Sequence, residues 1–154
     1  MGRKYVANID AVSVAAVCEL FFIAAPSDAV VVIHEIVVTQ DTSEDSEMLP
    51  VNVFRTATDQ AAKGTSNTPS PLESGDAAFG GTVRTNILTA ETFATETTPL
   101  FRQSQNVLGG WHWLPTPETR PVLSPAGKLC IKLDAAPVGA LPISGYVVFE
   151  EIGG

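Results

Sequence analysis

Apolar and polar positions in this chain alternate with a period of two or run as short β-branched blocks, and they never sustain a 3.6-residue period. The pattern predicts strands over 4–9 and over 12–17, where Val12, Val14 and Ala16 alternate. A strand over 19–24 is halted by the turn signal Ala25-Pro26-Ser27-Asp28. The strongest strand covers 30–39. One of its faces carries Val30, Val32, His34, Ile36 and Val38, the other Val31, Ile33, Glu35, Val37 and Thr39, and the first is expected to face the core. Further strands are predicted over 50–56, 81–88, 95–103, 107–114, 120–123, 128–133 and 143–150. Short strands separated by Pro/Gly turns, with no fixed repeat, predict a mainly β protein. The expected architecture is a single antiparallel β-sandwich spanning 1–154, jelly-roll-like, with less than about a tenth helix.

Between 58 and 80 the periodicity disappears into Ser, Thr, Pro, Gly and Ala, and the segment reads as a long loop. Loops of that length in compact domains usually carry function, so Thr65, Asn67, Pro69 and Pro71 are candidate partner-binding residues. Removal of 60–71 is expected to leave the domain folded. The triplet Trp111-His112-Trp113 places both tryptophans on one side of a strand. Two readings stay open: a stacking platform or inter-subunit anchor, and a pair of core anchors.

Composition narrows the function classes. A net charge of −8 disfavours a phosphate backbone or an anionic membrane leaflet, and the nine basic residues form no cluster. Charged residues make up only 17% of the chain, which suits a surface partly hidden against another copy or another protein. No apolar stretch approaches the roughly 18 residues of a membrane helix, and a cytosolic product is expected. Cys18 and Cys130 read as small buried hydrophobes, and a disulfide between them is not implied.

Catalytic constellations are not apparent. His34 and His112 are the only histidines, short of a three-histidine metal site, though a mixed site with Glu35 is conceivable. No Gly-X-Ser-X-Gly elbow is present, and Ser144 lies within a predicted strand. Glu150 and Glu151 should point to opposite faces. Asp41, Glu44, Asp45 and Glu47 lack calcium-loop spacing and read as a solvated turn. No cofactor, metal or catalytic residue is expected.

A resemblance is carried by several local motifs spread over most of the chain. These are Ala25-Pro26-Ser27-Asp28-Ala29-Val30-Val31 leading into Ile33-His34-Glu35, then Ala78-Phe79-Gly80-Gly81-Thr82-Val83, then Gly110-Trp111-His112-Trp113-Leu114-Pro115-Thr116-Pro117-Glu118, and the tail Gly145-Tyr146-Val147-Val148-Phe149-Glu150-Glu151-Ile152-Gly153-Gly154. The chain resembles small virion structural proteins of tailed bacteriophages, and among them a head decoration (cement) protein. That resemblance implies a homo-oligomer, a trimer being favoured, on the outside of a capsid at capsomer junctions. Its partner would then be the major capsid protein, with no enzymatic activity. The competing expectation is a carbohydrate-binding or tail-associated module using Trp111 and Trp113.

Overall fold

The computed structural model describes residues 2–42 and 46–153, so Glu44 and Asp45 of the acidic turn lie outside the described residues. Two antiparallel sheets form a β-sandwich. Sheet A runs in the order β10 (Val122–Leu123), β3 (Ala29–Gln40), β12 (Leu141–Gly153), β1 (Arg3–Val14) and β6 (Ser70–Pro71). Strand β9 (Trp111–Trp113) pairs with β3 farther along the edge that β10 occupies. Sheet B runs β5 (Thr65–Asn67), β7 (Thr82–Leu88), β2 (Cys18–Ala24), β11 (Lys128–Leu133), β4 (Met48–Thr56) and β8 (Glu96–Asn106). Among the described residues the helical elements are two single 3-10 turns, Thr89–Glu91 and Pro117–Thr119.

Inward-facing Val, Ile, Leu and Phe from both sheets interdigitate, with Phe21, Ile33, Val53, Ile131 and Phe149 among those wholly withdrawn from water. Each large side chain buried in this way contributes about 1.5–3 kcal/mol. At one end Tyr5 stacks on Phe149 with ring centroids 5.8 Å apart, and Phe79 meets Phe149 edge-on at 4.9 Å. The Tyr5 hydroxyl donates to the Ala77 carbonyl at 2.9 Å, and Gly80 N–H donates to Glu151 at 3.3 Å. The loop before β7 is therefore fastened onto the sandwich.

Register irregularities account for most departures from the sequence pattern. The strands expected at 4–9 and 12–17 are one strand, β1, whose pairing with β12 skips between Ile9 and Val12 at a bulge where Ala11 has φ 47°. In β2 the pairing jumps from Ile131–Phe21 to Lys132–Glu19, so Leu20 is the extra residue. In β3 it jumps from Val148–Glu35 to Phe149–Ile33, so His34 is the extra residue. The core face of β3 is thus Val31 and Ile33 before the bulge, then Ile36 and Val38 after it. This corrects the expected inward face: Val30, Val32 and His34 point outward because the bulge switches the alternation.

Two further corrections follow. The strand expected over 107–114 shrinks to Trp111–Trp113, because Gly109 and Gly110 N–H both donate to the Asn106 carbonyl and close a turn between the sheets. The segment 58–80 is not a free loop. It carries β5, which extends sheet B, and β6, which extends sheet A. Gly145 sits where β12 crosses the middle of sheet A, and a methyl there would overlap the Val37 carbonyl oxygen. Gly145→Ala should lower stability by about 1–3 kcal/mol in urea unfolding without changing the far-UV circular dichroism of the folded state.

Candidate binding surfaces

The two sheets treat their outer faces differently. On sheet B the Leu20 bulge sends both Glu19 and Phe22 outward, where Phe22, Phe54, Ile87 and Cys130 form a second buried cluster beneath Ala94 and Phe93. Glu19 is wholly buried there, as is Gln60 from the segment after β4. The Gln60 side-chain amide donates to Glu19 Oε2 at 3.1 Å and to the Thr92 carbonyl at 3.2 Å, and Ala94 N–H donates to Glu19 Oε1. Lys63 Nζ also reaches the Thr92 carbonyl, at 2.8 Å. Burial pushes the Glu19 carboxyl up, and the hydrogen bonds from Ala94, Cys130 and Gln60 oppose that rise without cancelling it. The molecule roofs this face with its own loops.

Among the described residues sheet A has no such roof: its outward valines belong to neither buried cluster. Val6 lies opposite Val148, Val32 opposite Val122, and Val30 opposite Ile152, making cross-strand aliphatic pairs. Val122 and Ile152 are each 46% exposed, and the others are half-buried. Two His–Glu pairs cross this apolar field. His34 Nε2 meets Glu150 Oε2 at 2.9 Å, and His112 Nε2 meets Glu35 Oε1 at 2.8 Å. The Tyr146 hydroxyl donates to the same Glu35 oxygen at 3.0 Å. Burial would raise the Glu150 carboxyl, but the Gly2 N–H and His34 outweigh it and hold the group below its ordinary value. Each histidine thus has its own carboxylate, which separates the conceivable His34/His112/Glu35 set into two pairs. Among the described residues no three metal-ligating side chains converge.

The residues singled out from the sequence close the two open sides of the sandwich. Thr65 is exposed on β5, while the Asn67 side-chain amide donates to the Asn8 carbonyl at 2.7 Å. Pro69 is buried, and Pro71 pairs with Tyr5 on the edge of sheet A. Asn67 and Pro69 border a shallow groove of about 230 Å³ beside Phe79 and Val83. On the opposite side Trp111 is 5% exposed, and its indole N–H donates to Gln103 Oε1 at 3.1 Å. Trp113 lies parallel to Trp111, with centroids 6.5 Å apart, and packs on Phe101 of β8 at 4.3 Å. The two tryptophans therefore link β9 of one sheet to β8 of the other, Trp111 buried and Trp113 partly exposed against Phe101. Sequence reasoning missed Glu19 and Gln60. The available signal was a lone carboxylate inside the apolar run of β2. Glu150 and Glu151 do point oppositely, Glu151 turning inward to pair with Arg3 at 2.8 Å.

No family model, curated protein or solved structure matches this chain. No helix among the described residues is long and apolar enough to cross a membrane.

Titration of Glu19 should appear in stability. The folded state holds the Glu19 proton more tightly than the unfolded chain, so stability is lost as pH rises from the ordinary carboxylate range through the elevated folded value. Compared by urea midpoints from about pH 4 to about pH 8, Glu19→Gln should gain on the wild type as pH rises. A gap that stays flat with pH would refute the buried carboxyl's elevated value. Burial pushes the Cys18 thiol up to about 12 and Cys130 well above its usual value. Both should resist iodoacetamide at mildly alkaline pH until the protein is unfolded, as mass spectrometry would read directly.

Proposed function

We propose that this protein is a non-enzymatic structural component of a tailed-phage virion, seated on the capsid exterior through the outer face of sheet A. The observation that carries the reading is the inequality of the two outer faces. Sheet B buries its outward apolar residues under its own loops, whereas sheet A leaves Val6, Val30, Val32, Val37 and Val148 half-buried, and Val122 and Ile152 exposed, around two His–Glu pairs. A half-apolar, half-polar sheet face of this kind suits docking against a protein surface. Successive long strands β1, β2, β3 and β4 alternate between the sheets, which supports a jelly-roll-like reading of the sandwich. The motif resemblance supports a capsid as the target, with the major capsid protein as partner and a trimer as the assembled form. The net charge of −8 fits a position away from the packaged genome. The molecule exposes 7141 Å², so an ordinary interface of about 800 Å² per partner would occupy roughly a ninth of its surface.

The carbohydrate alternative needs free indole faces at Trp111 and Trp113, and the packing of both rings against protein weakens its support. Shells assembled from the phage's major capsid protein provide the test. The purified protein should run as a trimer by light scattering and co-sediment with shells at saturable occupancy. Val148→Glu, on the open face, should stay folded and weaken attachment by about tenfold or more. Failure of the wild type to bind shells, or undiminished binding by a folded Val148→Glu variant, overturns the proposal. Deletion of 60–71 is no longer a clean probe, because it would remove Gln60 from Glu19 together with both edge strands.

A further inference from the structure

At the end of the sandwich where β10 of sheet A approaches β4 and β8 of sheet B, the sheets part around an open groove of about 500 Å³. That volume lies within the range of small-ligand sites. Val30 and Leu123 supply apolar wall, Thr98 and Ser124 supply hydroxyls, and Arg55 and Lys128 supply positive charge. Among the described residues no carboxylate lines it. This is unusual in a chain whose acidic residues outnumber its basic ones by 17 to 9. Among the described residues neither Arg55 nor Lys128 takes part in an ion pair, whereas Arg3, Arg102 and Lys132 each hold a carboxylate.

The placement of Arg55 has a local cause. It shares the inward side of β4 with Val51 and Val53, but it lies at the strand end where the core gives out. Its guanidinium reaches across the gap and donates through Nη2 to the Val122 carbonyl at 3.1 Å, which orients the planar fork. Thr97 Oγ1 donates to the Arg55 carbonyl at 2.9 Å and holds the backbone beneath it. Arg55 is only partly exposed, so its remaining N–H donors face a site less screened than open water. A half-desolvated, oriented guanidinium with spare donors is matched best by the two oxygens of a carboxylate.

We propose that this groove binds a small carboxylate ligand, with Arg55 as the bidentate partner, Lys128 as the second charge and Val30 and Leu123 packing the ligand's body. The carboxylate can belong to a sugar acid or to the free C-terminus of a peptide, since both present the same planar anion. The groove shares Val30 and Val122 with the rim of sheet A's open face, but its charged residues Arg55 and Lys128 belong to sheet B, and the proposal does not depend on the capsid reading.

Calorimetric titration of the intact protein tests it with four probes: glucuronate, its neutral counterpart glucose, a Val-Val dipeptide, and the C-terminally amidated dipeptide. Saturable binding is expected for glucuronate, the free dipeptide or both, and for neither uncharged counterpart. Which carboxylate saturates identifies the source. Backbone amide shifts should move at Thr98, Ser124 and Gly127. Arg55→Gln should weaken binding about tenfold or more. Lys128→Gln should weaken it too while leaving the Arg55–Val122 hydrogen bond between the sheets in place, so a folding defect cannot mimic the result. The proposal is overturned if neither carboxylate saturates, if the neutral counterparts bind equally, or if both folded variants bind as the wild type does.

Discussion

Everything in this molecule depends on the strict two-residue alternation of the strand pleat, and on the few places where a bulge breaks it. The middle of the space between the sheets is filled by apolar side chains, so each strand must keep a row of them inward there. A strand whose sequence drifts out of phase can still satisfy that demand by carrying one extra residue. Leu20 does this for β2: Leu20 and Phe21 both turn inward, leaving Glu19 and Phe22 together on the outside. Without the extra residue either a carboxylate or a large aromatic would sit on the wrong side. His34 does the same for β3, and the consequence there is chemical: His34 and Glu35 both face outward, where each finds a partner of opposite type.

Because sheet B carries apolar residues and a carboxylate on its outer side, it needs a cover. The segments around Gln60 and Ala94 provide it, and their contacts with Glu19 are polar enough to tolerate a buried carboxyl. An unpaired charge in that position would be expensive, which explains why the carboxyl holds its proton more firmly than an exposed one. Sheet A has valines and His–Glu pairs on its outer side, and among the described residues those valines join neither buried cluster. One outer face is thus covered from within the chain, and the other keeps its valines only half-buried.

The sides of the sandwich follow the same economy of segments. One is closed by the run from Thr65 to Pro71, which joins an edge of each sheet in turn. The other is closed by Trp111 and Trp113, which lie on β9 and pack toward β8. Edge strand β8 is further protected by Pro99 and by two register irregularities against β4, features that discourage pairing with a second chain. The groove at Arg55 opens where β10, only two residues long, leaves the two sheets unjoined.

Strand existence was legible in the sequence wherever the signal is local. The runs that became β3, β4, β11 and β12 are short, apolar and bounded by turn residues, and burial of such runs between two sheets needs no distant information. The antiparallel sandwich follows from them. The inward face of β3 was not legible, because the extra residue at His34 is defined only by its pairing with β12, more than a hundred positions away in sequence. Nor was the role of the segment after β4: Gln60 looks like any loop glutamine until Glu19 is folded against it. The tryptophan triplet left a stacking platform, an inter-subunit anchor and a pair of core anchors open, because the direction of its rings depends on Phe101 and Gln103 in the opposite sheet. Sequence by itself determined which apolar runs must leave water. Tertiary structure alone decided which side each would turn to, because side and partner are properties of register, and register is set between strands rather than along them.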